Sequence, residues 1–435
     1  MLLIYLSQLT PRNRYLFKTA FNVFLQLDDY KLTSDSEEFM AYLGPKFSYA
    51  KKPIADELFF EAYGLLESRG IKEQSINCLE YQEVKTLFQV STGALPYDAF
   101  SAAFYLLSRY EEYLPHLRDK YDRFTINESL AYQHGFIQQA VVDRWFLQVK
   151  SVLVKEFPEL PFKERKYRYL PTFDIDNAYA FRQKGFIRIL GSLLKQVSKF
   201  DLKQLQKQIS VLIGKRKDPF DTFNYQLNIQ KKYKLKPIYF FLLADYGLND
   251  KNLSHENRHF QSLVKSIADY AEVGIHPSYG SNKQKGKLAQ EIRRLERTVK
   301  RDIHRSRQHF LKLSLPETYR NLIEADIHED YTMGFAGNLG FRAGTCTPYP
   351  FYDLDEEVEC KLTIYPFQLM EATFKYYLKV SPEKALELLK PIIDEVKAVK
   401  GTFISLWHNE SLSNEDEWEG WRNVYEGMVA YAIEK

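Results

Sequence analysis

The sequence predicts a two-part α/β protein whose larger part is a parallel α/β unit. Three observations carry this. At 435 residues the chain exceeds one typical domain. From Arg168 onward, short apolar runs alternate with helical patterns over about 265 residues, the signature of strand–helix–strand units closed into a barrel or laid out as an open sheet. Finally, Asp174, Asp176, His276 and His408 all stand at the ends of apolar runs, and parallel α/β folds place their chemistry at the C-terminal ends of strands.

The elements follow in order. Residues 1–162 read as a smaller mixed α/β domain. Its LLIYLS start is a strand, while PYDAFSAAFYLLSRYEEYL (96–114) and VVDRWFLQVKSVLVKEF (141–157) carry apolar residues at helical spacing. FPELPFKERKYR has two prolines and a charge cluster, as a linker would, so the second unit is placed at 168–435. There YLPTFDI is the first strand. A basic helical stretch follows over 182–235, containing KQLQKQ and GKRKDPFD; its lysines read as a solvated helical face, with a binding patch as the alternative. KPIYFFLLADYG is a buried strand and turn, HFQSLVKSIADYA a helix, EVGIHP a strand end, EIRRLERTVKRDI a charged helix and GTFISLWHNE a late strand.

Composition narrows the class. Hydrophobic residues at 45% and charged residues at 27% are those of a globular protein, and a net charge of +3 argues against a dedicated nucleic-acid surface. The 31 Tyr and 31 Phe fill cores and can supply a ligand-stacking surface. Cys78, Cys346 and Cys360 are odd in number and far apart, which fits a reducing compartment, so a cytoplasmic location is expected. The first residues read as a strand rather than a signal peptide, and no apolar run approaches the roughly 20 residues of a transmembrane helix.

The residues suited to chemistry are few. In YRYLPTFDIDNAYAF, Asp174 and Asp176 are one residue apart, so on a strand both carboxylates leave the same face, roughly 6–7 Å apart. Two such charges repel unless a proton or a cation neutralises one. Asp176 alone could cap a helix; that leaves Asp174 unexplained. His276, in GIHPSYGS, sits at a turn of small residues, and His408 ends a run beside Trp407. His276 is a candidate ligand, the alternative being an ordinary hydrogen-bonded histidine, and His408 is a candidate for proton transfer, the alternative being a core histidine beside Trp407. Arg342 lies in the Gly- and Pro-rich GNLGFRAGTCTPYPFYDL, and Arg307 and His309 lie in HRSRQHF; either arginine could brace a carboxylate or be a surface charge. His255 and His259 share a metal-site spacing in HENRH, but polar surroundings argue against a protease helix. Nucleophile-elbow, Walker and dinucleotide glycine motifs are absent.

Taken in order, TFDID, EVGIHPS, an arginine loop and ISLWH resemble the motifs of the polysaccharide deacetylases, the NodB-like carbohydrate esterases of family 4. With PYDAFSAAFYLLSRYEEY and RFTINESLAYQHGFI before them, the chain is similar to a divergent bacterial branch with an extra N-terminal domain. The resemblance implies a distorted (β/α) barrel of about seven parallel strands, a divalent metal, usually zinc, and hydrolysis of an N-acetyl, sometimes an O-acetyl, group from a sugar. With no export signal read at the start, a sugar precursor or glycolipid on the cytoplasmic side is the expected carbohydrate substrate. It implies Asp174 as general base, Asp176 and His276 as metal ligands, and His408 as general acid. Arg342 would order the base, with Arg307 competing, and a backbone N–H near Arg342 or Thr345 would meet the oxyanion, with Trp407 in support. One departure is plain: Gly280 stands where the family has a second metal histidine, so either another residue, first of all His309, supplies the third ligand, or the metal is a different one, weakly held or absent. The alternative is a decayed deacetylase fold that binds carbohydrate or serves as a scaffold; a hydrolase of another C–N bond or of a glycoside is a third reading.

Overall fold

The computed structural model of the chain describes residues 1–281, 283–284 and 286–434. Near the N-terminus, β1 (Leu2–Leu6), β2 (Tyr30–Thr33), β3 (Lys46–Ala50) and β4 (Leu58–Glu61) form a parallel sheet in the order β2-β1-β3-β4. β1 is central and its Leu2, Leu3, Ile4 and Leu6 are buried, which is why LLIYL reads as an apolar run rather than an alternating one. Helices Pro11–Lys18, Ala99–Leu107 and Val141–Glu156 cover it; Phe17 stacks on Phe100 at 4.6 Å and Phe24 meets Phe146 at 4.8 Å. A hairpin of β5 (Leu79–Tyr81) and β6 (Val84–Thr86) lies beside them.

The helix expected over 96–114 is interrupted at Arg109, which adopts a left-handed backbone (φ 54°). The break has an electrostatic reason: the buried Arg109 guanidinium turns back to ion-pair with Glu111 (2.6 Å) and Glu112 (2.8 Å).

The second sheet has nine strands: β7 (Arg168–Ile175), β8 (Ile238–Phe241), β9 (Glu272–Ile275), β10 (Arg305–Ser306), β11 (Glu329–Asp330), β12 (Tyr349–Asp353), β13 (Val358–Ile364), β14 (Leu369–Met370) and β15 (Thr402–His408). The order is β12-β13-β11-β10-β9-β8-β7-β15-β14, with every pair parallel except β12–β13. Helices Arg258–Ala268, Lys287–Val299, Pro382–Ala398 and Trp421–Ile433 occupy the connections or follow the last strand. Among the described residues the ladder keeps two edges, at β12 and β14, so it is a curled sheet rather than a ladder hydrogen-bonded all the way round. A backbone hydrogen bond from Phe367 N to the Met333 carbonyl (3.0 Å) ties the segment before β14 to the segment after β11.

Alternation along the strands sorts side chains into two cores. Phe173 faces outward to Tyr239 and Tyr425, whereas Thr172 and Asp174 face inward. Inside the curl, Phe240, Tyr331, Phe367, Ile404 and Leu406 form a separate apolar cluster. Gly274 lets β9 fit: a Cβ there would lie 2.7 Å from the Phe240 ring and 2.8 Å from the Arg305 carbonyl. The register puts Asp174 beside His408, and Ile275 beside both Phe241 and Ser306, so the C-terminal ends of β7, β9, β10 and β15 open on one cleft. Among the described residues no helix is long and apolar enough to cross a membrane.

Candidate active site

The cleft has a volume of about 770 Å³, and Asp174, Asp176, His276, His309 and His408 line it. Each side chain arrives from a strand end. Asp174 closes the inward face of β7, and Asp176 follows one residue beyond the strand, with about a third of its side chain (32%) open to the cleft. His276 follows β9, its N–H bonded to the Phe241 carbonyl at 2.9 Å. After β10 the chain is pinned by three hydrogen bonds: Arg307 N to Ile275 O (3.1 Å), Gln308 N to Thr332 Oγ1 (3.0 Å) and His309 N to Pro277 O (3.1 Å). It then reverses through left-handed Phe310 and Leu311 (φ 60° and 55°), which leaves the His309 ring in the cleft.

Hydrogen bonding decides what each imidazole presents. His276 Nδ1 faces the Arg307 carbonyl at 2.5 Å, and a carbonyl only accepts, so Nδ1 carries the hydrogen. In a neutral ring Nε2 then presents a lone pair, and it lies 3.1 Å from Asp176 Oδ1, a buried oxygen without a hydrogen-bond partner. His309 repeats the arrangement: Nδ1 donates to Asp250 Oδ1 at 2.9 Å and Nε2 faces Asp176 Oδ2 at 3.5 Å. One ligand atom from each of Asp176, His276 and His309 falls within 4.8 Å of the others. Two imidazole nitrogens and a carboxylate oxygen, with the outer nitrogens held by a carbonyl and a carboxylate, are the donor set and outer shell that a catalytic zinc uses. The residues therefore fit a divalent cation.

The charges agree with the geometry. Burial alone would push the Asp176 carboxyl up, but the charge of His309, the adjacent His276 and the charge of His408 outweigh it and hold the group well below the usual carboxylate range. Burial pulls the His309 imidazole down, and the carboxylates of Asp176 and Asp250 overcome this, raising it to about 9. His408 is likewise opposed by burial and raised well above an ordinary imidazole, chiefly by Glu371, whose Oε1 accepts from Nδ1 at 2.7 Å. Its Nε2 looks into the cleft, 3.7 Å from Asp176 Oδ2. Glu410 completes this wall, and burial pushes its carboxyl up to about 7 against the opposing charge of His408.

Asp174 is held differently. Its Oδ1 accepts from Arg307 Nη1 at 3.0 Å, while Oδ2 stays 3.8 Å from His276 Nε2. Arg307 is fully buried, donates also to Thr172 Oγ1 (2.7 Å) and the Tyr331 carbonyl (2.9 Å), and lies over the Phe240 ring at 4.7 Å, capping the inner apolar cluster.

Comparison with known proteins adds a frame. Residues 2–158 match a family of unknown function (DUF7033). No curated protein matches the chain. Among solved structures, the chain is similar to a Mycobacterium smegmatis protein provisionally named a polysaccharide deacetylase (14% identity, TM-score 0.40, covering 62% of this chain and 86% of that one). It is similar to the polysaccharide deacetylase Bc1974 from Bacillus cereus (12% identity, TM-score 0.29, 61% and 86%). A third is BA3943 from Bacillus anthracis, a family 4 carbohydrate esterase pseudoenzyme (11% identity, TM-score 0.30, 61% of each chain). All three TM-scores are below 0.5.

That geometry corrects part of the sequence reading. Arg342 does not brace Asp174: it is buried elsewhere, donating to Glu112 Oε2 at 2.6 Å and to the Gly334 carbonyl. The arginine beside Asp174 is Arg307. Thr345 is equally distant in role, since its hydroxyl donates to Asp143 Oδ2 at 2.6 Å and no part of it lines the cleft. Trp407 faces the other side of β15 and packs on Tyr425 at 5.0 Å, because Leu406 and His408 take the inward positions. His255 and His259 lie outside the cleft wall.

Several wall residues escaped the sequence reading. Glu371 follows β14, a strand of only two residues, and so offers no apolar run to mark it. Asp250, which stands behind His309 rather than in the wall itself, comes from an irregular loop. Tyr121 and Arg123 come from the N-terminal part of the chain; Arg123 donates to the Phe310 carbonyl (3.0 Å) and the Tyr377 hydroxyl (3.1 Å), and Tyr121 packs on Phe310.

Proposed function

We propose that the chain is a divalent-metal-dependent hydrolase that removes an acetyl group, as amide or ester, from a carbohydrate or glycolipid. The observation that carries this is the convergence of Asp176, His276 and His309, the Nε2 of each imidazole facing an oxygen of Asp176, with the Asp174 carboxylate on one side and His408 on the other. When bound, zinc or a similar cation supplies Lewis acidity toward an acetyl carbonyl and toward water. Asp174, oriented by Arg307 and left outside the ligand set, accepts the proton of the attacking water. His408, held in one ring orientation by Glu371, donates from Nε2 to the leaving nitrogen or oxygen. Acid and base are thereby two groups in different surroundings, as the reaction requires. Gly280 removes the family's usual third ligand, and His309 takes that place from the adjacent strand end. Residues of the N-terminal part, Tyr121 and Arg123, also wall the cleft.

The test is acetate release from N-acetylated chito-oligosaccharides and from O-acetylated sugars. Activity should be lost with a chelator, restored by Zn²⁺ or Co²⁺, and lost in Asp174→Asn without loss of metal. A protein that binds no metal and releases no acetate with any added cation would instead be a decayed, carbohydrate-binding fold.

A further inference from the structure

The segment between β7 and β8 is amphipathic in the opposite sense from a helix packed on a globular core. Helix Phe186–Ser198 carries Phe186, Ile187, Leu190 and Leu194, which fall on one face at 3.6 residues per turn. All four are exposed, Ile187 at 85%. The chain turns through Phe200, exposed at 88%, and helix Leu202–Leu212 begins with exposed Leu202. Apart from the buried Val211, the inward contacts of the second helix are polar. Ser192 and Gln196 hydrogen-bond Gln208 (3.1 and 2.7 Å), and the buried Lys207 ion-pairs with Glu415 (2.7 Å) and Asp416 (2.6 Å). A solvated basic face needs its apolar side packed; here the apolar side is the one facing out.

The same segment carries the charge. Residues 182–217 hold ten Lys and Arg against one Asp, a net +9, while the whole chain is +3, so the remainder is −6. Lys207, Arg216 and Lys217 are ion-paired with acids outside the segment, and the other cations keep the face basic. Exposed apolar residues scattered singly are ordinary, but a contiguous apolar patch marks an interaction surface. A second copy of this face would bring like charge against like. An anionic bilayer satisfies both properties, apolar groups entering the headgroup boundary and cations meeting lipid phosphates.

We propose that the hairpin of helices Phe186–Ser198 and Leu202–Leu212 docks the protein on an anionic lipid surface. It leaves the sheet at the strand end that carries Asp176, and Trp418 lines both the catalytic cleft and the cleft beside Lys207, so the docking face and the cleft share one end of the molecule. Binding is read without activity, and its outcome is separate from the hydrolase reading.

The experiment is flotation of the full chain with phosphatidylcholine vesicles, with and without phosphatidylglycerol. The protein should float with the anionic vesicles and about 10-fold less with neutral ones or in high salt. Ile187→Asp with Leu194→Asp should reduce flotation at least about 10-fold with an unchanged melting curve, since both sites are solvent-exposed. Lys199→Glu with Lys203→Glu, also exposed, should weaken it independently. Absence of flotation with anionic vesicles, or flotation that both double variants keep, overturns the proposal. So does a dimer in sedimentation that Ile187→Asp/Leu194→Asp dissociates, which would make the face a contact between copies.

Discussion

Asp176 Oδ1 stands 3.1 Å from His276 Nε2, while the other nitrogen of that ring is committed to the Arg307 carbonyl. A lone pair and a carboxylate oxygen at that separation repel unless a proton or a cation lies between them. His309 faces the other oxygen of the same carboxylate, so one group is asked to satisfy two imidazoles. A bound cation resolves both contacts together, and the first prediction follows from it.

The chain should bind one equivalent of zinc, and His276→Ala or His309→Ala should each abolish stoichiometric binding in metal analysis after dialysis. Asp250→Asn is the finer probe. It leaves every ligand in place but replaces the carboxylate that accepts from His309 Nδ1. Zinc affinity, read by competition with a chromophoric chelator, should fall about 10–100-fold. Unchanged affinity would mean that His309 is not a ligand.

Asp174 and Arg307 should separate catalysis from stability. Asp174→Asn should lower kcat by about 10²–10⁴-fold with metal content intact, because only proton acceptance is removed. Arg307→Met leaves the Asp174 charge buried beside Thr172 without its partner, and should cost about 3–5 kcal/mol in urea unfolding. Combining the two substitutions should recover part of that loss, since the unpaired charge is gone.

Glu371→Gln tests how His408 is held. The carboxylate accepts both the His408 backbone N–H (2.9 Å) and its Nδ1–H (2.7 Å), which fixes the ring with Nε2 toward the cleft. The amide should lower kcat about 10-fold or more with KM little changed, because the group acts on the donor rather than on the ground-state substrate. His408→Ala should cost more, and least on substrates whose leaving group is a good one and needs no proton.

How much of this was legible beforehand depended on strand length. β7 and β15 are eight and seven residues long, and the long apolar runs they make in the sequence placed Asp174, Asp176 and His408 at their ends. β10, β11 and β14 are two residues each, too short for any periodicity, so Arg307 could not be preferred to Arg342 and Glu371 went unnoticed. Arg342 misled for a physical reason: a Gly- and Pro-rich loop suits a site, but this one spends its guanidinium on Glu112 of the N-terminal part. Apart from its first strand, the parallel sheet near the N-terminus was hidden as well, all four of its strands being five residues or fewer. Likewise the outward apolar face of 186–202 reads in sequence like any amphipathic helix; only exposure tells which side is wet.

The Glu112 cluster yields a prediction about stability and pH. Glu112 is buried between Arg109 (2.8 Å) and Arg342 (2.6 Å), joining the two parts of the chain. Burial would push its carboxyl up, but the two guanidinium charges outweigh it and bring it down to about 2. A carboxyl lowered on folding stabilises the folded state above its unfolded value near 4.5, and that contribution is lost as pH falls toward 2. The difference of roughly 2.5 pH units corresponds to about 3 kcal/mol. Glu112→Gln should therefore lower stability at pH 7 by at least that amount, since two buried arginines lose their counter-charge. It should also flatten the fall in stability between pH 4.5 and 2, measured by urea unfolding across that range. If the variant unfolds with the same acid dependence as the parent, the charge of Glu112 is not what couples the N-terminal part to the loop of Arg342.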